Sequence, residues 1–98
     1  MSLFDLSGKV AIVTGSSRGI GKAIAVQMAL HGARVVISSR KAESCAAVVA
    51  EIAAAGGTAM AQAAHVGHKQ ELEALVDTTI AKWGRIDILV CKDRKSVV

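Results

Sequence analysis

The stretch KVAIVTGSSRGIG, Lys9 to Gly21, runs from a short apolar segment through a glycine-rich turn into a helical pattern. Lys9–Thr14 is a continuous, β-branched apolar run bounded by Gly8 and Gly15, the pattern of a strand buried on both faces in a parallel sheet. Beyond the turn, Ile20, Ile24 and Met28 recur every four residues with Ala23 beside them. That spacing predicts a helix over Ile20–Leu30 that packs through those side chains, with Gly32 closing it as a C-terminal cap. The turn therefore sits where a strand ends and a helix begins.

A helix N-terminus presents unpaired amides and the positive end of the helix dipole, so an anion placed there is stabilised by both. Glycines make the turn tight and let the backbone approach a pyrophosphate, and a third glycine lets helix and strand pack together. Gly15, Ser17, Arg18, Gly19, Ile20 and Gly21 are thus candidate ligands of a dinucleotide, with Ser16 and Ser17 adding hydroxyls and Arg18 a charge. A glycine string alone is more often a plain structural turn, by about two to one; the strand-to-helix placement inside a β-α-β unit decides for phosphate binding.

The rest of the chain repeats the alternation. Arg34–Ser38 reads as a second apolar strand. Cys45, Val48, Val49 and Ile52 mark a second helix, ended by Gly56 and Gly57. Thr58–Ala64 is a weaker third strand, and Leu72, Leu75, Val76, Thr79, Ile80 and Trp83 form the stripe of a third helix capped by Gly84. Ile86–Val90 is a fourth strand. Strands alternating with helices imply an α/β fold with a doubly wound parallel sheet. Right-handed crossovers order it 3-2-1-4, with two helices on one face and one on the other. Residues 1–91 read as one structural piece without repeats, linkers or proline.

Composition excludes several classes. The 98 residues are 52% hydrophobic, which rules out a disordered tail. No apolar run approaches the roughly 20 residues of a membrane span, and Met1–Lys9 lacks the basic n-region of a signal peptide, so a cytoplasmic location is expected. The net charge of +4 divides into +2 in residues 92–98 and +2 scattered over residues 1–91. Without a basic stripe, and with only Phe4 and Trp83 to stack on bases, nucleic acid is not an expected partner. Cys45 and Cys91 match no metal or redox spacing. His65 and His68 lack the third and fourth ligands that zinc needs, so no metal is expected.

The spacing T-G-x-x-x-G-x-G, Thr14 to Gly21, resembles the short-chain dehydrogenase/reductase family. Leu6–Ala11 and Trp83–Val90 are similar to that family's entries into its first and fourth strands, and the resemblance covers residues 3–91 without a gap. It implies a partial Rossmann fold and a nicotinamide dinucleotide cofactor. The family's acidic position at the end of the second strand, which accepts hydrogen bonds from the ribose hydroxyls of NAD, falls at Ser39. Serine removes the repulsion toward a 2′-phosphate, and Arg40 next to it brings a guanidinium suited to that phosphate, as does Arg18. NADP(H) is therefore expected over NAD(H). Lys22 and Lys41 read as solvated. His65 and Val66 stand where many relatives carry Asp-Val lining the adenine pocket. The histidine, with Ser38–Lys41 (SSRK), resembles a carbonyl-reductase-like branch.

The resemblance stops after Cys91. It implies that the family's catalytic Asn, Ser and Tyr-x-x-x-Lys lie beyond the fourth strand, and this chain has no tyrosine at all. The expectation is an NADP(H)-binding piece of an oxidoreductase acting on an alcohol or carbonyl, inactive by itself. The alternative is a stand-alone nucleotide-binding or interaction module. The parent is expected to be a homo-oligomer, and the piece aggregation-prone through its open fourth strand. Asp93–Val98 can be written GAT CGG AAG AGC GTC GTG, a string that looks like a sequencing adapter and continues into the stop TAG. Residues 92–98 are accordingly read as adapter read-through outside the domain.

Overall fold

Strand and helix alternate as β1 (Val10–Thr14), α1 (Gly19–Leu30), β2 (Arg34–Ser38), α2 (Ala42–Ala54), β3 (Thr58–Ala61), α3 (Lys69–Trp83) and β4 (Ile88–Val90). This computed structural model describes residues 5–15, 19–63 and 69–90. The four strands form one sheet in the order β3-β2-β1-β4, every pair parallel, as the apolar runs and crossover rule predict.

Register sets the two faces. Met60, Val36, Ile12 and Leu89 lie in one row across the sheet, and Ala61, Ile37, Val13 and Val90 in the next. Val13, Val35 and Ile37 join Ala25, Ala29, Cys45, Val48 and Ile52 in a core beneath α1 and α2. Ile12 and Val36 pack with Leu75 beneath α3 on the opposite face. All five residues of β1 are buried, because helices cover the central strand on both sides. Each such Val or Ile contributes about 1.5–3 kcal/mol through its burial.

The packing face of α1 differs from the one its periodicity predicts. Gly21, Ala25 and Ala29 are the buried residues, Ile24 and Met28 flank them, Ala23 is exposed, and Ile20 is 65% exposed. The small side chains let the helix axis lie close to the sheet, and the larger ones are displaced to its flanks. In α3, Leu75 and Thr79 are buried as expected, but Ile80 is 47% exposed at the margin of the stripe. The buried Thr79 hydroxyl is satisfied by donating to the Leu75 carbonyl at 2.8 Å.

Gly32 ends α1 with φ +102°. Its N–H donates to the Ala29 carbonyl and that of Ala33 to the Met28 carbonyl, each at 3.1 Å, which is the Schellman closure. The chain then enters β2 directly. Gly56 closes α2 in the same way. Leu89, in register with Ile12, remains 50% exposed because α3 covers β1 and β2 rather than β4. Among the described residues β4 pairs only with β1.

Candidate cofactor-binding site

The sheet changes direction between β1 and β4: from β1 the chain proceeds to β2 on one side, and β4 returns on the other. In open parallel sheets, ligands bind beyond the carboxyl ends of the strands at such a point. The Thr14 side chain closes it, with Oγ1 donating to the Val90 carbonyl at 3.2 Å and so joining the ends of β1 and β4. At the other end of the same two strands, Asp87 does the joining. Its Oδ2 accepts the Val10 N–H at 2.9 Å, and its own N–H donates to the Val10 carbonyl at 2.9 Å. Arg85 donates to Asp87 Oδ1 from its terminal nitrogen at 2.6 Å and from Nε at 3.2 Å.

The hydrogen bonds from Arg85 and then from Val10 hold the Asp87 carboxyl below its ordinary value of 3.8. A carboxyl lowered in the folded state contributes stability that is present above the unfolded value and is lost as pH falls through the folded one. Asp87→Asn is therefore expected to be less stable at pH 7 and to lose less stability than the unsubstituted chain between pH 5 and strongly acidic pH. Urea midpoints across that range check this; parallel pH profiles for the two chains would contradict it. In the sequence, Asp87 stands only within the strand-entry motif Trp83–Val90. Its position just ahead of an apolar strand was the available signal, but only the β1–β4 pairing shows what it binds.

Thr14 and Ser38 are in register, so the residues that follow them leave the sheet side by side, about 4.8 Å apart in the strand-to-strand direction. After Thr14 comes Gly15, exposed with φ +65°, and α1 starts at Gly19 with φ +64° and open space where a Cβ would project. The first turn of α1 has no acidic residue to neutralise its dipole. Gly21 is buried where α1 meets the sheet, and Ile20 offers its backbone rather than a packed side chain. After Ser38 come Ser39, half-buried, and Arg40, exposed and making no hydrogen bond or ion pair to another described residue. These features fit an anionic dinucleotide laid across the ends of β1 and β2.

Ser17 and Arg18, and His65 and Val66 after β3, lie outside the described residues, as do His68, Cys91 and residues 92–98. Lys41 is exposed as expected, whereas Lys22 bridges α1 to α2 through Glu51 at 2.9 Å. No group of three or more metal-ligating side chains occurs among the described residues.

The fold is a parallel sheet ordered 3-2-1-4, and the chain matches the short chain dehydrogenase family model over residues 9–92. The chain belongs to the short-chain dehydrogenase/reductase family. Among members of this family, it is 49% identical over 86 residues to a 3-oxoacyl-[acyl-carrier-protein] reductase of Synechocystis sp., covering 87% of this chain and 35% of the relative. It is 48% identical over 85 residues to the 7alpha-hydroxysteroid dehydrogenase of Escherichia coli K12, covering 87% and 33%. In solved structures, it superposes on a hydroxysteroid dehydrogenase from Escherichia coli with TM-score 0.86 and 46% identity, covering 88% of this chain and 37% of that one. A metagenomic short-chain oxidoreductase in complex with NADP superposes with TM-score 0.83 and 47% identity, covering 87% and 38%. The chain spans about a third of the length of the family members it matches.

Proposed function

We propose that this chain is the NADP(H)-binding part of a cytoplasmic oxidoreductase that passes hydride between NADP(H) and an alcohol or carbonyl substrate. The observation that carries this is the pairing of an uncharged Ser39 with an exposed Arg40 at the end of β2, beside the glycine turn after β1. Backbone amides from Gly15 and Gly19 to Gly21, with Ser17, hold the pyrophosphate. Arg40 and Arg18 take the 2′-phosphate, Ser39 leaves it unrepelled, and His65 and Val66 border the adenine. The bound cofactor supplies or accepts the hydride.

The general acid/base that the family resemblance implies is a tyrosine, and this chain contains none. It is expected to bind cofactor without turning over substrate. Residues 92–98 have no part in binding, and the half-exposed Leu89 on β4 makes the isolated chain prone to self-association.

Titration of the 98-residue chain with NADPH and NADH, followed by cofactor fluorescence, tests the proposal. A charge-assisted contact is worth about 1.5–3 kcal/mol, so NADPH is expected to bind roughly 10- to 100-fold more tightly. Arg40→Ala is expected to erase most of that difference. Equal affinities for the two cofactors would remove the NADP preference. Binding of neither would favour an interaction module without a nucleotide.

A further inference from the structure

Between β2 and α2, the Ser39 hydroxyl turns back into the protein. It receives the Lys41 N–H at 3.3 Å, lies 3.3 Å from the Lys41 carbonyl as a donor, and is 3.2 Å from the Cys45 sulfur. Cys45 is completely buried in the core beneath α2. Its backbone N–H also donates to the Lys41 carbonyl at 3.2 Å, the first helical bond of α2. A serine hydroxyl has one proton and two acceptor lone pairs. Donation to the Lys41 carbonyl, with acceptance from the Lys41 N–H and the Cys45 S–H, uses all three.

We propose that Ser39 and Cys45 form a positioning pair that ties down the β2–α2 turn on both sides of Arg40, and that Ser39 is not itself a ligand of the cofactor. This deepens the cofactor reading above and rests on it for the identity of the phosphate. Ser39 is held by the thiol and Lys41 by the hydroxyl, so the backbone of Arg40, which lies between them, is restrained at both ends. The guanidinium is presented with less ordering left to do on binding, which raises affinity for a 2′-phosphate without adding a contact. Cys45, completely buried, is thereby a selectivity-determining residue. The two bonds to Lys41 are long for their types, so the pair acts through convergence on one hydroxyl rather than through any single strong contact.

The test uses Cys45→Val, which fills the site without a donor, Cys45→Ser, which restores one, and Ser39→Ala. The probes are adenosine 2′,5′-bisphosphate and AMP, titrated against the 98-residue chain, with amide hydrogen exchange at Lys41 measured in parallel. Cys45→Val and Ser39→Ala are expected to lower the preference for the bisphosphate about two- to tenfold, the worth of a neutral hydrogen bond, with AMP affinity unchanged. Both are also expected to speed exchange at Lys41, and Cys45→Ser to restore both values. Unchanged preference and unchanged exchange in Cys45→Val would overturn the pair, as would a Ser39→Ala chain that loses bisphosphate affinity while Lys41 exchange stays slow, since Ser39 would then be a ligand. An unsubstituted chain with no preference for the bisphosphate would remove the phosphate reading and with it the role assigned to the pair. Exchange at Lys41 reports on the turn separately, so the two failures are told apart.

Discussion

Leu75→Ala is expected to destabilise the chain by about 2–5 kcal/mol, the range for removing a fully buried leucine and leaving a cavity. Leu75 is completely buried and meets Ile12 and Val36 at the centre of the face that α3 covers, where Leu72, Val76, Trp83, Met60 and Ile86 pack around it only partly covered. Among the described residues no second helix packs on that face, so it is Leu75 that seals the middle of the sheet there. Neighbouring side chains are anchored on the sheet or along the same helix and collapse poorly into the space. Domains are stable by only about 5–15 kcal/mol, and short ones sit toward the low end, so the loss takes a large share of the total. Urea unfolding followed by circular dichroism measures it. Ile80→Ala, on the same helix but half exposed, is expected to change stability by no more than about 1 kcal/mol. Equal losses at the two positions would show that α3 packs through a different face.

Gly32→Ala is expected to cost a comparable amount, about 2–5 kcal/mol, from two sources. The backbone there has φ +102°, a conformation that costs an L side chain about 1–2 kcal/mol. A Cβ would also lie 2.7 Å from Ser7 Oγ and 3.0 Å from the Ser7 nitrogen and Cα, an overlap of the kind that costs about 1–3 kcal/mol. Ser7 cannot retreat cheaply. Its N–H and hydroxyl both donate to Asp5 Oδ1, at 2.9 and 2.6 Å, and the preceding Leu6 N–H donates to the His31 carbonyl at 2.7 Å. Gly56→Ala separates the two sources, because Gly56 has φ +90° and nothing within 4 Å of its Cβ position. It is expected to lose only the conformational part. If the two alanine variants unfold at the same urea concentration, the contact with Ser7 carries no energy.

Both residues were visible in the sequence, one as part of a helical stripe and the other as a cap, but neither consequence was. Leu75 and Ile80 are equally apolar and sit in the same periodic pattern. Only the placement of α3 over β1 and β2 separates a core residue from a marginal one. Likewise, Gly32 reads as a cap from its position after Leu30, while the close approach of Ser7 comes from a segment across the end of α1. On α1, hydrophobic spacing points to Ile20, Ile24 and Met28, whereas Gly21, Ala25 and Ala29 are the residues buried. Periodicity reports which residues avoid water; the gap between helix and sheet selects by size.

The candidate site divides in the same way. Gly15, Gly19 and Gly21 were legible because a phosphate-binding turn needs backbone freedom at set intervals, and intervals are a property of sequence. Arg40 was legible because charge type shows in one letter. The inward turn of the Ser39 hydroxyl toward Cys45 and Lys41 was not, since a serine has the same letter whether it binds a ligand or the chain itself.

The sequence by itself determined the alternation of strands and helices, the parallel sheet with its 3-2-1-4 order, and the family. Each follows from local apolar patterning, turn residues and the handedness of crossovers, which neighbouring residues dictate. Tertiary structure alone decided which residues of each helix are buried, that Asp87 fastens β4 to the start of β1, and that Ser39 and Cys45 meet. The first two depend on side chains brought together by the pairing of strands distant in sequence and by the seating of helices on the sheet, and the third on the path of the turn between β2 and α2; a linear pattern carries no record of such distances.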